Sequence, residues 1–204
     1  MARIVLIALT AAFIAHTGMA AAQEVGRSTV EGREVILFQN GTWRYVREER
    51  PVDEACVDKT RIESDKLPLT YCLSESEWVR DSATGPFEAV YVHRQAEVYL
   101  GVIAERITFT EEALREAIIF NAQQAAGLNP VKVLKEESLT IAGTDWNFLN
   151  VEAIMSGVEF QYWNYSRAAP RAAVQFVFWT TDEHAAEAGP IAAEVSKTLR
   201  WEGQ

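Results

Sequence analysis

The sequence predicts an α+β fold: an antiparallel sheet flanked by helices and preceded by a small β-hairpin. Three observations predict it. Runs rich in β-branched and aromatic residues recur between Phe87 and Thr181. Only two segments show helical periodicity, one after Thr110 and one after Gly189. An Asn-Gly pair sits inside an aromatic stretch near the start. Strands gathered into a meander between two helices argue for an antiparallel sheet with helices packed on it.

The chain opens with MARIVLIALTAAFIAHTGMAAAQE. A basic start at Arg3, an apolar run from Ile4 to Ile14 and a small-residue close at Ala20-Ala21-Ala22 describe a cleavable export signal over residues 1–22. The run is shorter than the about 20 residues a membrane span needs, and no Cys stands at the cut to take a lipid anchor. Losing residues 1–22 removes Arg3 and makes the formal charge of −10 one unit more negative. Nucleic acid and anionic membrane surfaces call for basic patches, so so acidic a chain is a poor match for either. The expected location is periplasmic or secreted. In an oxidising compartment Cys56 and Cys72 pair most simply with each other. Their spacing is far wider than the Cys-x-x-Cys of redox pairs.

Residues 23–47 form the hairpin segment. In GREVILFQNGTWRYV, Asn40-Gly41 suits a type I′ turn, which needs positive φ at both positions. Pairing outward sets Gln39 against Thr42, Phe38 against Trp43, Leu37 against Arg44 and Ile36 against Tyr45. Ile36, Phe38, Trp43 and Tyr45 then share an apolar face, which is expected to dock on the chain's own domain. Glu31-Gly32 suggests a second turn, with a short strand at Ser28 to Val30 before it. The stretch is similar to a "G-r-V-x-L-x-x-[DN]-G-T-W" segment near the start of many exported bacterial proteins. Residues 48–55 are charged, contain Pro51 and lack apolar periodicity, so they read as a linker.

The main domain runs from residue 56 to 204. FEAVYVHR (Phe87 to Arg94) and EVYLGVIAER (Glu97 to Arg106) are strands joined near Gln95-Ala96. Thr110 caps a helix that begins at Glu111-Glu112 and stops at Gly127. Leu114, Ala117, Ile118, Asn121 and Ala125 lie along its packing stripe. A strand follows Pro130, and then three long strands at Asp145 to Met155, Val158 to Arg167 and Arg171 to Thr181. GPIAAEVSKTLRW closes the chain as a helix with Pro190 in its first turn.

Trp78, the Thr110–Gly127 helix, GVEFQYWNY at Gly157 to Tyr165, VQFVFWT at Val174 to Thr180 and the closing SKTLRW together resemble the PsbP/DcrB-like family over roughly residues 68–201. The family often places a Pro shortly before the early Trp, and SESEW has none. The resemblance implies an α/β/α sandwich. It also implies a non-catalytic accessory factor that assists a larger protein assembly, here an envelope protein.

A search for chemistry assigns no catalytic, cofactor or metal residue. His93 and His184 are far apart in sequence, and no G-x-S-x-G, P-loop or G-x-G-x-x-G motif occurs. The Ser156-Gly157 turn does yield one constellation. Pairing outward from it puts Met155, Ala153, Val151 and Leu149 with Val158, Phe160, Tyr162 and Asn164 on a core face. The other face gathers Trp146, Phe148, Trp163, Tyr165 and Arg167 at one end of the sheet. Two readings of this cluster stand. Aromatics beside Arg make partner-binding hot spots, and large aromatics under a covering helix are core. The expected function is partner binding, with a small-ligand or lipid-binding protein as the alternative and an enzyme last.

Overall fold

The computed structural model describes residues 23–30, 33–45 and 53–203, in two compact units divided after residue 51. The predicted signal 1–22, the predicted turn at Glu31-Gly32 and residues 48–52 of the predicted linker lie outside the described residues.

The first unit is a three-stranded antiparallel meander of β1 (Glu24–Val30), β2 (Arg33–Phe38) and β3 (Trp43–Tyr45), with β2 in the middle. Its second turn differs from the expected two-residue I′ form. Gly41 has positive φ (+79°) and Asn40 does not. The Phe38 N–H donates to the Thr42 carbonyl at 2.9 Å, and the Gly41 N–H donates to the Phe38 carbonyl at 2.9 Å. The loop is therefore three residues, Gln39 to Gly41, with Gly in the left-handed position that such loops require. Asn40 Oδ1 accepts from the Thr42 N–H instead of standing in the turn's second strained site. That one extra residue shifts the register and swaps the faces. Leu37 opposes Trp43 and Val35 opposes Tyr45, while Ile36 opposes Arg44. Trp43 and Tyr45 meet edge to face at 5.2 Å, and the Arg44 guanidinium lies over Phe38 instead.

The second unit opens on a 3-10 turn, Glu54–Cys56, within the expected linker; Asp53 caps it by accepting from the Ala55 N–H. Cys56 is bonded to Cys72, as expected. The strands that follow are β4 (Thr60–Glu63), β5 (Leu69–Leu73), β6 (Trp78–Asp81), β7 (Ala89–His93) and β8 (Tyr99–Glu105). After helix α1 (Glu111–Ala125) come β9 (Lys132–Ile141), β10 (Thr144–Met155), β11 (Val158–Ala169) and β12 (Ala172–Thr181). Helix α2 (Ala185–Ser196) and the short β13 (Arg200–Trp201) end the unit.

Seven strands make one antiparallel sheet in the order β6-β7-β8-β12-β11-β10-β9. The local signals work as read. The Thr110 hydroxyl accepts from the Ala113 N–H at 3.1 Å, and Gly127 ends α1 with φ +67°. Ser156 and Gly157 both take positive φ, so the β10–β11 register is the one expected, from Met155 opposite Val158 to Phe148 opposite Tyr165. Ala142-Gly143 forms a similar positive-φ turn that joins β9 to β10.

Two expectations need correction. The last helix begins at Ala185, earlier than expected, and Pro190 lies in its interior. Gly189 precedes it, and without a Cβ there is less to collide with the proline ring in the α conformation. The chain then leaves the helix so that Arg200 and Trp201 pair with Thr70 and Leu69. This creates a second sheet, β13-β5-β4. The flanking layers therefore differ from the expected pair of helical ones. Leu114 and Ile118 of α1 pack on Leu149, Val151 and Ala173 on one face. On the other, Ala188, Ala192 and Val195 of α2 and Leu69, Tyr71 and Leu73 of β5 share the cover. The α+β class and the antiparallel sheet hold, with strand dominating.

Replacing both cysteines with serine is expected to cost about 3 kcal/mol, given a bridge between residues 16 apart. Urea denaturation measures it, and a reductant should erase the difference. Trp163→Ala and Phe176→Ala, both in the core under α2, are each expected to cost about 3–5 kcal/mol. Val79→Ala, at an exposed position, should stay within about 1 kcal/mol in the same assay.

Candidate functional site

The structure brings the predicted aromatic cluster together and buries it. Trp146, Phe148, Trp163 and Tyr165 are core side chains under α2, each at most 7% exposed. Phe148 and Tyr165 rings lie 5.0 Å apart, and Tyr165 meets Phe178 at 6.0 Å. Burial pushes the Tyr165 phenol up. Arg167 donates to the Asp145 carbonyl at 2.7 Å and lies over the Trp201 ring. The cluster is thus no exposed surface: α2 and β13 complete the cover that a sheet face of this composition needs.

On the opposite face the predicted core residues Leu149, Val151, Ala153 and Asn164 are buried, while α1 covers the face as a whole only in part. Strand pairing runs a single row across all seven strands: Val79, Val92, Tyr99, Trp179, Tyr162, Val151 and Val133. Under α1 the row is dry, with Val151 fully buried. Towards β6 it opens, with Tyr99 37% and Val79 41% exposed. Tyr99 and Trp179 stack at 5.4 Å with planes 12° apart, and Phe87 stacks on Trp179 at 6.0 Å. Phe87 reaches this place because Gly101 lies beneath it: a Cβ there would sit 2.3 Å from the Phe87 ring. Tyr162 closes the row towards the helix, its hydroxyl donating to Met155 Sδ at 3.5 Å. Burial pushes its phenol up to about 12.

Two hollows border α1. One, of about 140 Å³, lies between the helix and β8 and β12, lined by Pro86, Ile103, Phe109, Leu114, Ile118 and Gln175 among others. The other, of about 400 Å³, lies at the side towards β9 and includes Glu111, Arg115, Glu136, Asn147 and Phe148. Two of its charged groups, Arg115 and Glu136, are engaged with each other. Arg115 makes two hydrogen bonds to Glu136, at 2.6 and 2.9 Å. Those bonds hold the Glu136 carboxyl below its usual range and the guanidinium above its own. Glu111 accepts from Asn147 at 2.6 Å and from the Ala168 N–H at 3.0 Å. These contacts clip helix to sheet. His93 serves its hairpin, with Nδ1 accepting from the Ala96 N–H at 3.0 Å. His184 lies 3.5 Å from Glu97. Among the described residues no His, Cys, Asp or Glu cluster suits a metal ion. No helix among them is long and apolar enough to cross a membrane.

The sequence pairs Val151 with Tyr162 correctly and places the β10–β11 pairs of that face in the core, without following the row on to β8, β7 and β6. The missed signal is helix number, with a single helix for each face of a wide sheet. One helix such as α1, about 10 Å across, covers about 10 Å of sheet width, and seven strands need about 30 Å.

Because Tyr162 is harder to ionise in the fold, its contribution is complete below the unfolded value of about 10. It is lost as pH rises through about 12. Urea melts between those values should show a smaller loss of stability in Tyr162→Phe than in the wild type.

No protein-family model matches the chain, and no curated protein does. Solved structures do. The cyanobacterial PsbP (CyanoP) of Synechocystis sp. PCC 6803 superposes with a TM-score of 0.57 at 11% identity, over 71% of this chain and 92% of that one. LpqN of Mycobacterium tuberculosis, described as involved in cell envelope biogenesis, gives 0.49 at 9% identity, over 69% and 88%. With its antiparallel sheet and PsbP superposition, the chain has a PsbP-like fold.

Proposed function

We propose that the protein is an exported, non-catalytic accessory protein that binds another envelope protein through the open half of the aromatic row. The observation that carries this reading is the partly exposed run Val79, Val92, Tyr99 and Trp179, in which two aromatic rings stack. Contiguous exposed apolar surface on a sheet is the kind of feature that marks an interaction site. Tyr and Trp are the side chains most often found at the energetic centre of such interfaces. The Cys56–Cys72 bond and the leader-like composition of residues 2–22 support export. The acidic composition supports a partner other than nucleic acid. The fold is compatible with this role without specifying it.

A second reading, a small apolar ligand, draws on the 140 Å³ hollow beside α1. It predicts a ligand-dependent rise in Tm that survives substitution of Tyr99.

The direct test is a cross-linking pull-down from envelope extract with wild type and Tyr99→Ser/Trp179→Ser. The account expects a protein captured by the wild type and lost from the variant while circular dichroism shows both folded. Equal capture by both would place the interface away from this row.

A further inference from the structure

The two faces of the large sheet differ in charge as well as in cover. Following strand pairs from β6 to β9, the α1 face receives Asp81, Glu105, Glu136 and Asp145 as its charged strand residues, all of them carboxylates. The opposite face receives Arg80, Arg167, Lys132 and Lys135 beside its own acids. Helix α1 adds Glu112 and Glu116 to the acidic side, and its one cation, Arg115, is occupied by Glu136. Near the open half of the row the relevant carboxylates are Asp81 and Glu105, both exposed. Asp81 belongs to the next row, two residues along β6 from Val79. Glu105 lies at the far end of β8, six residues from Tyr99, a run of about 20 Å. The strip between them carries Phe87, Gly101 and Ile103.

Pairing sets Asp81 level with Gly101, so both carboxylates lie on the same side of the Tyr99–Trp179 row, and an apolar patch edged by acids has a definite complement. We infer that the occupant is an extended segment of a partner protein that presents large apolar side chains and Lys or Arg on one and the same face. Its apolar side chains pack along Tyr99, Trp179 and Phe87. Its cations meet Asp81 and Glu105. An acidic segment is rejected on the same surface because no fixed cation among the described strand residues of that face answers it. The inference rests on the reading of this face as partner-binding and adds the partner's chemistry to it.

The test uses a 12-residue Lys/Leu peptide of three Lys-Lys-Leu-Leu repeats, which sets Lys and Leu on the same face of an extended chain, with Glu/Leu and Lys/Ser peptides of the same pattern as comparisons, titrated into isotope-labelled protein by NMR. The Lys/Leu peptide should shift amides around Tyr99 and Trp179, and the other two should not. Asp81→Asn/Glu105→Gln should weaken it about tenfold. Glu152→Gln/Glu159→Gln, the same loss of charge on the opposite face, should leave it within twofold. Equal binding of Glu/Leu, or equal weakening by the two double variants, would overturn the cationic-partner inference and leave the partner face standing. Shifts confined to other surfaces, or none with either Leu peptide, would overturn the partner face itself.

Discussion

A sheet seven strands wide spans about 30 Å, and one packed helix covers about 10 Å of it. The described residues bring two α-helices to that task, one for each face. Everything else in the larger unit follows from the shortfall. On the α2 side it is met by β4, β5 and β13, whose Leu69, Tyr71 and Leu73 extend the apolar layer that Ala188, Ala192 and Val195 begin. On the α1 side it is not met, and the row from Val79 to Trp179 stays partly in water.

The added layer works only because it is tied in place. Two or three short strands are marginal on their own. Cys72 in β5 is bonded to Cys56, and its backbone N–H donates to Thr198 Oγ1 at 3.0 Å. Thr198 in turn donates to the Val195 carbonyl at 2.7 Å, joining the end of α2 to the small sheet. Arg200 of β13 pairs with Asp53 across nearly the whole length of the unit's sequence. A bridge that looks in the sequence like a generic staple thus holds the cover over Trp146, Trp163 and Phe176. The edge of the large sheet is managed differently. The register slips by one between Asn150 and Val151, leaving Leu134 as an extra residue in β9, and Lys132 and Lys135 line that edge. Both devices discourage further strands from adding there.

Local chemistry was legible in the sequence wherever one residue type enforces one geometry. Ser156-Gly157 set the β10–β11 register, Thr110 and Gly127 bounded α1, and the two cysteines found each other. Asn40-Gly41 shows the limit: the same dipeptide serves a two-residue and a three-residue loop, and here the three-residue form is accompanied by a hydrogen bond from the Thr42 N–H to the Asn40 side chain. Tertiary cover was harder to read. The faces around Trp163 and around Tyr162 are both apolar, so pattern alone does not say which one a helix protects. That depends on β13, two residues long, which no periodicity can announce. The predicted cluster of Trp146, Phe148, Trp163 and Tyr165 therefore forms on the expected strands, on a face that turns out to be covered.

The central claim is that the α2 face is the core and the β6-side half of the α1 face is the exposed surface. Hydroxyl-radical footprinting read out by mass spectrometry tests it most directly, because it reports side-chain exposure residue by residue in the folded protein. The account predicts fast modification of Tyr99 and slow modification of Trp146 and Trp163, with Trp163 becoming reactive only on unfolding. Trp146 and Trp163 reacting as fast as Tyr99 in the native protein would contradict it.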